Sequence, residues 1–178
     1  MKKVILVVVL AIVVLFIVMV SKDLKENPIE RQEEEKIDLI LDASKYARIS
    51  TDNLIDILGK AKSKEKWNNE NSKGTFSMMI YSYDIDGMTA EFITYENLVV
   101  KIRCFATTPW ELPDNFETVF KMFNITLNDH AKKTVDNGLT VKYSPVADSV
   151  AEFEVYNIDS EKSTFDTVYI TYNLNYFD

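Results

Sequence analysis

Val4 to Val20 is an unbroken run of seventeen apolar residues, without a charge, a Gly or a Pro, set directly behind Met1-Lys2-Lys3. As a helix it would rise about 25 Å against a hydrocarbon core of about 30 Å, so it is short but can span. A cleaved secretory signal has the same basic start and apolar middle. This run, however, ends Phe16-Ile17-Val18-Met19-Val20-Ser21 with no small-residue cleavage site, and it exceeds the usual signal core of about 7–15 residues. The sequence therefore predicts a retained transmembrane anchor over residues 1–21, with residues 4–20 in the membrane; secretion after cleavage is the alternative. Lys2 and Lys3 on one side nearly balance Lys22, Lys25 and Arg31 on the other. An anchor at the extreme N-terminus usually exports the chain behind it, which makes the expected location the cell membrane, single-pass, with an extracytoplasmic C-terminal domain.

Beyond residue 20 the chain holds 18 basic and 28 acidic residues. Nucleic acid is not an expected partner, because a phosphate backbone needs clustered Lys and Arg, and the three arginines, Arg31, Arg48 and Arg103, are far apart. Lysine outnumbers arginine seventeen to three, amid abundant Asn, Ile, Tyr and Phe, the usage of an AT-rich bacterial genome. A single cysteine, Cys104, forms no internal disulfide. Stability must then come from a hydrophobic core, for which about 150 residues suffice.

Residues 22–36 read as a charged juxtamembrane segment leading into a helix, with Asn27 as cap, Pro28 at the first helical position and Glu30 three residues after the cap. Ile37, Ile40, Leu41 and Ser44 continue at helical spacing. A second helix begins at Ser50 or Thr51, carries Leu54, Ile55, Ile57 and Leu58, and stops at Gly59. After a polar loop around Trp67, three strands are expected near 75–83, 88–95 and 98–105, turning at Asp86-Gly87 and Glu96-Asn97. In the third, alternation puts Leu98, Val100, Ile102 and Cys104 on one face, with Lys101 and Arg103 on the other.

The second half repeats this order. Asp114 caps a helix with Glu117 behind it and a stripe of Phe116, Val119, Phe120 and Phe123, ended by Asn124; strands near 139–143, 150–156 and 164–172 come next. Ala90-Glu91-Phe92-x-x-Tyr95 matches Ala151-Glu152-Phe153-x-x-Tyr156, and Tyr81-Ser82 matches Tyr143-Ser144. The expected fold is α+β: a transmembrane helix, then two similar units, 37–106 and 107–178, each with helix packed on a three- to four-stranded antiparallel sheet. An internal repeat of this kind changes the fold assignment.

The stretch Ile49-Ser50-Thr51-Asp52-Asn53-Leu54-Ile55-Asp56-Ile57-Leu58-Gly59, with the meander behind it, resembles the capped helix ending in Leu-Gly of the BamE (SmpA/OmlA) outer-membrane lipoproteins. The same unit occurs twice in tandem in the β-lactamase inhibitor protein. The Pro often found after that Gly is replaced by Lys60-Ala61, and the inhibitor's disulfides are missing. The resemblance spans roughly residues 37 to 175 and implies a protein-binding surface rather than a reaction centre, although fold alone does not establish function.

No catalytic, cofactor-binding, nucleotide or metal constellation stands out. His130, the single histidine, lies in the polar stretch Asn128-Asp129-His130-Ala131-Lys132-Lys133, which reads as surface. Cys104 reads as an inert core residue. Asp84-Ile85-Asp86-Gly87 opens like a calcium loop, but Ile93 stands where the bidentate Glu is required, so a hairpin is expected. Gly59, Gly74, Gly87 and Gly138 are too scattered to cradle a phosphate. What remains is aromatic. Outward rings supply contact area at low entropy cost, and the candidate binding residues are Trp67 and Trp110 in loops and Tyr143, Tyr156, Tyr169 and Tyr172 on strands; tyrosines that merely cover a sheet are the alternative. The expected function is a non-catalytic protein-binding module with a partner in the cell envelope. Alternatives are an inhibitor of a secreted or envelope enzyme, a carboxylate-using hydrolase and a self-associating structural element.

Overall fold

A computed structural model describes residues 37–177. One antiparallel sheet organises them: β1 (Ser63–Asn71), β2 (Gly74–Ile85), β3 (Met88–Tyr95), β4 (Leu98–Glu111), β5 (Lys133–Asp136), β6 (Thr140–Tyr143), β7 (Glu152–Tyr156) and β8 (Thr164–Thr171). The order across the sheet is β1-β2-β3-β4-β8-β7-β6-β5, so each half runs as a meander and the last strand of each, β4 and β8, zips the two together. Only two α-helices accompany it among the described residues, α1 (Thr51–Leu58) and α2 (Glu117–Met122), with short 3-10 turns at Ala43–Tyr46 and Leu174–Tyr176.

This overturns the expected fold class. Two separate helix-on-sheet units are replaced by one continuous eight-stranded sheet, because Ile102 and Cys104 of β4 pair directly with Ile170 and Val168 of β8, burying all four in one core. The two meanders are also built differently. Strands of 9, 12, 8 and 14 residues in the first stand against 4, 4, 5 and 8 in the second, so short sequence matches do not make an internal repeat. Among the described residues no helix is long and apolar enough to cross a membrane. The expected span, 4–20, and the Asn27-Pro28 helix start lie outside the described residues. Transmembrane anchoring, a membrane partner and a single-pass location thus find no support in the described structure.

The helices lie on one side. Ser50 caps α1 by accepting the Asn53 N–H at 3.2 Å, and Gly59 ends it at φ +78°, where its N–H reaches Ile55 O. Leu54 is buried while Ile57 is exposed, so the apolar face of α1 is narrower than its sequence suggests. The expected Asp114 cap does not form; Asn115 Oδ1 accepts the Glu117 N–H instead and α2 shrinks to six residues. Residues 37–41 are not helical. The Ile40 and Leu41 N–H groups bond to Met122 O instead, and the Ala43 N–H bonds to Phe123 O, tying this segment to the end of α2.

The core between helices and sheet is strongly aromatic. Phe92 meets Tyr46 and Tyr83 edge-on, and Phe120, Phe123 and Phe153 interlock with centroid separations of 4.7 and 5.7 Å. Tyr172 closes it by donating its buried hydroxyl to Ala43 O at 2.6 Å, and burial pushes that phenol well above its ordinary pKa. Cys104 is fully buried, which raises its thiol to about 12 and leaves negligible thiolate near neutrality.

Two local departures matter for the face opposite the helices. A bulge between Ile93 and Thr94 shifts the β3–β4 register, so that Lys101 pairs with Ile93 but Val99 with Thr94. Val99 therefore joins the helix-side core with Ile102 and Cys104, whereas Val100 turns to the other side with Met78, Ile80 and Ile93. The expected alternation of Leu98, Val100, Ile102 and Cys104 fails at that bulge. Both tryptophans, expected in loops, sit in strands: Trp67 opposite Met78 in β1, and Trp110 opposite Phe165 at the far end of β4.

Candidate functional site

The sheet face turned away from the helices is organised in transverse rows. One row runs Ser63, Ser82, Glu91, Arg103, Tyr169, Glu154, Lys142, each opposite the next on the neighbouring strand. A parallel row runs Ile80, Ile93, Lys101, Thr171, Glu152. A third runs Asp84, Thr89, Phe105, Thr167, Tyr156, Thr140. The two-residue period of a strand brings these side chains to one face.

Charge on this face is internally compensated. Glu91 pairs with Arg103. Lys142 Nζ lies 2.6 Å from Glu152 and 3.6 Å from Glu154, and Lys101 Nζ lies 3.8 Å from Glu154. Lys101 is sandwiched by rings, 5.1 Å from the Tyr169 centroid and 4.9 Å from that of Phe177. Burial lowers its pKa, opposed by Glu154 and Glu152. Burial also raises the Glu152 pKa, with the Lys142 bond pulling the other way and the Glu154 charge adding to the rise.

That direction sets the sign of the pH effect. Folded Glu152 binds a proton more readily than unfolded Glu152, so its contribution favours folding at low pH and fades as pH rises from the ordinary carboxylate value through the raised folded one. Urea titrations between about pH 4 and pH 7 should show a shallower decline, or a steeper rise, of stability with pH for Glu152→Gln than for the native chain. Parallel profiles would contradict the direction.

The rings on this face form a second continuous feature. Tyr156 and Tyr169 lie 4.9 Å apart, and Phe105 is 6.1 Å from Tyr169. All three are partly exposed. Tyr156 donates to Glu154 Oε1 at 2.6 Å; burial, then that bond, raises its pKa. Arg103 also stacks over Trp67, 5.8 Å from the ring.

Of the six candidate binding residues, Tyr156, Tyr169 and Trp67 share this face. The other three serve the helix side: Trp110 packs on Phe123 and Phe165, Tyr143 on Phe116 and Phe120, and Tyr172 is buried. Strand parity separates them, since Tyr143 pairs with inward Phe153 while Tyr156 is three residues further along β7. The sequence reading missed Glu91, Arg103, Lys101, Glu152 and Glu154 as a set. Their alternation with Phe92, Ile102 and Phe153 was the available signal.

Elsewhere the chemistry is spare. His130 is exposed, and Asp84 is held by Lys62 at 2.7 Å and Thr89 at 3.2 Å beside the Asp86-Gly87 turn. Among the described residues no group of His, Cys, Asp and Glu is placed to hold a metal ion. On the helix side an open groove of about 390 Å³ runs past Asn124, Ile125, Asn128, Asp148 and Ser149, but the Asn124 amide is committed to Asp42 at 2.7 Å.

No family model and no curated protein matches the chain. Among solved structures it is similar to a cysteine-rich secretory protein from Staphylococcus aureus subsp. aureus Mu50, at 9% identity and a TM-score of 0.43, over 75% of this chain and 47% of that one. It is similar also to an extracellular protein containing an SCP domain from Bacillus anthracis str. Ames, at 13% identity and a TM-score of 0.39, over 82% of this chain and 49% of that one. The chain thus matches about half the length of each. The family resemblance expected from the Leu58-Gly59 helix end is corrected: the described residues form one continuous eight-stranded sheet rather than tandem helix-on-sheet units, and a capped helix before a meander is too common a local device to specify that family.

Proposed function

We propose that this chain is a non-catalytic protein-binding module that presents the open face of its sheet to a partner. The observation that carries the reading is the Phe105–Tyr169–Tyr156 ring row, set on three adjacent strands beside a row of paired charges. Interfaces favour such a mixture, with aromatic and Arg side chains enriched at the contact. A rigid sheet also holds the rings at little further entropic cost.

Support for the non-catalytic part comes from the same pairs. Glu91, Glu152 and Glu154 each face a cation, so a carboxylate acting as general acid or base would first have to give up its ion pair. Such a clamp suits a fixed surface better than proton transfer.

The test uses the full chain with a photo-crosslinking phenylalanine analogue at position 169 or, as a control on the helix side, at exposed position 57. The partner captured at 169 is then purified and titrated directly. Tyr156→Ala with Tyr169→Ala should weaken that complex about 100-fold, the size expected of two central aromatic contacts. Unchanged affinity, with a native melting profile, would refute the reading.

A further inference from the structure

We infer that the open face carries a second, separate site: a slot for a peptide segment bearing two consecutive aromatic residues, filled in this chain by its own residues 174–177. The slot floor is the apolar cluster Met78, Ile80, Ile93 and Val100, of which the bulge brings Val100 to this side. Tyr176 packs against both Phe76 and Tyr95, with centroids 5.3 and 4.5 Å away, and those two rings touch each other edge-on at 5.6 Å. Phe177 lies nearly parallel to Trp67 at 6.2 Å, with Lys101 Nζ 4.9 Å from its ring. The segment's carbonyls are read as well: Asn69 Nδ2 donates to Tyr176 O at 2.6 Å and Asn71 Nδ2 to Asn175 O at 3.3 Å.

The way the segment is held makes it exchangeable. Among the described residues, the last backbone bond it gives the sheet is Tyr172 N–H to Val100 O. Past that point the ties are side-chain amides, a Lys73 contact to Asn175 and rings, and its internal bonds are Phe177 N–H to Leu174 O and Asn175 N–H to Asn173 Oδ1. A competing segment can therefore replace it without opening a strand pair. Its chemistry is defined by the occupant: a tight turn that places two neighbouring rings side by side, with two carbonyls turned to Asn69 and Asn71. The slot shares no ring with the Tyr156–Tyr169–Phe105 row, although Lys101 lies against both Tyr169 and Phe177; its own rings, Trp67, Phe76 and Tyr95, are what the test addresses.

The probe is the pentapeptide Asn-Leu-Asn-Tyr-Phe, blocked at both ends and fluorescently labelled, titrated into the full chain by anisotropy. In the native chain the slot is occupied and apparent affinity is reduced by the open fraction. Tyr176→Ala with Phe177→Ala should therefore bind the peptide at least about tenfold more tightly. Adding Trp67→Ala should abolish that gain, whereas Tyr156→Ala should leave it intact. A natively melting double variant that shows no binding at about 1 mM peptide, or that binds a scrambled peptide equally well, overturns the inference. Where the double variant does not melt cooperatively, hydrogen exchange on the native chain decides: peptide at about 1 mM should accelerate exchange of residues 173–177, and unchanged protection overturns the site.

Discussion

Phe153→Ala is expected to cost about 3–5 kcal/mol of folding stability, the range for deleting a large aromatic from a close-packed core. Phe153 is fully buried, packs on Phe120 and Phe123, and sits between Tyr143 and Ile170 on the neighbouring strands. It therefore joins the short second meander both to the helix side and to the strand that zips the sheet. Urea unfolding should show a lower midpoint with an unchanged slope. Phe105→Ala, on the opposite face and partly exposed, should cost less than about 1 kcal/mol. Equal losses at the two positions would mean that the sheet does not have the two distinct sides described.

Lys101→Met should destabilise by about 2–4 kcal/mol, somewhat below the full effect of breaking a buried ion pair, because Lys142 stays within 3.6 Å of Glu154. The lysine side chain is 12% exposed and that of Glu154 10%, so neither charge is well hydrated. The loss comes from leaving a carboxylate in poor solvent. Lys101→Met combined with Glu154→Gln should accordingly recover most of the stability, since the uncompensated charge has gone. A double variant as unstable as the single one would assign the effect to lost packing against Tyr169 and Phe177 instead.

The contrast between these two residues also explains which features the sequence reveals. Strands with one apolar side, β2 to β4, and turns with residues suited to positive φ, such as Asp86 at +43° and Gly87 at +80°, announce themselves locally. Edge strands do not. β1 reads Ser-Lys-Glu-Lys-Trp-Asn-Asn-Glu-Asn, with charges on both faces, as suits a strand whose outer edge must resist pairing with other chains. β5 is four residues of similar character. The fusion of two meanders into one sheet rests on β4–β8 pairing between residues some sixty apart, and no local pattern encodes it.

The candidate site was legible in part for the same reason. Tyr156 and Tyr169 stand out as strand aromatics, but which side each ring takes depends on register, and register on bulges. The shift at Ile93–Thr94 moves Val100 across the sheet and so builds the slot floor. Trp67 looked like a loop residue because nothing around it is apolar; its partners, Phe177 and Arg103, arrive from distant strands and from the C-terminal segment.

The most direct measurement is the photo-crosslinking comparison between position 169 on the open face and position 57 on the helix side of the full chain. The sheet-face account predicts one discrete protein adduct from position 169, lost with Tyr156→Ala, and none from position 57. An adduct from position 57 alone would contradict it and move the contact surface to the helices.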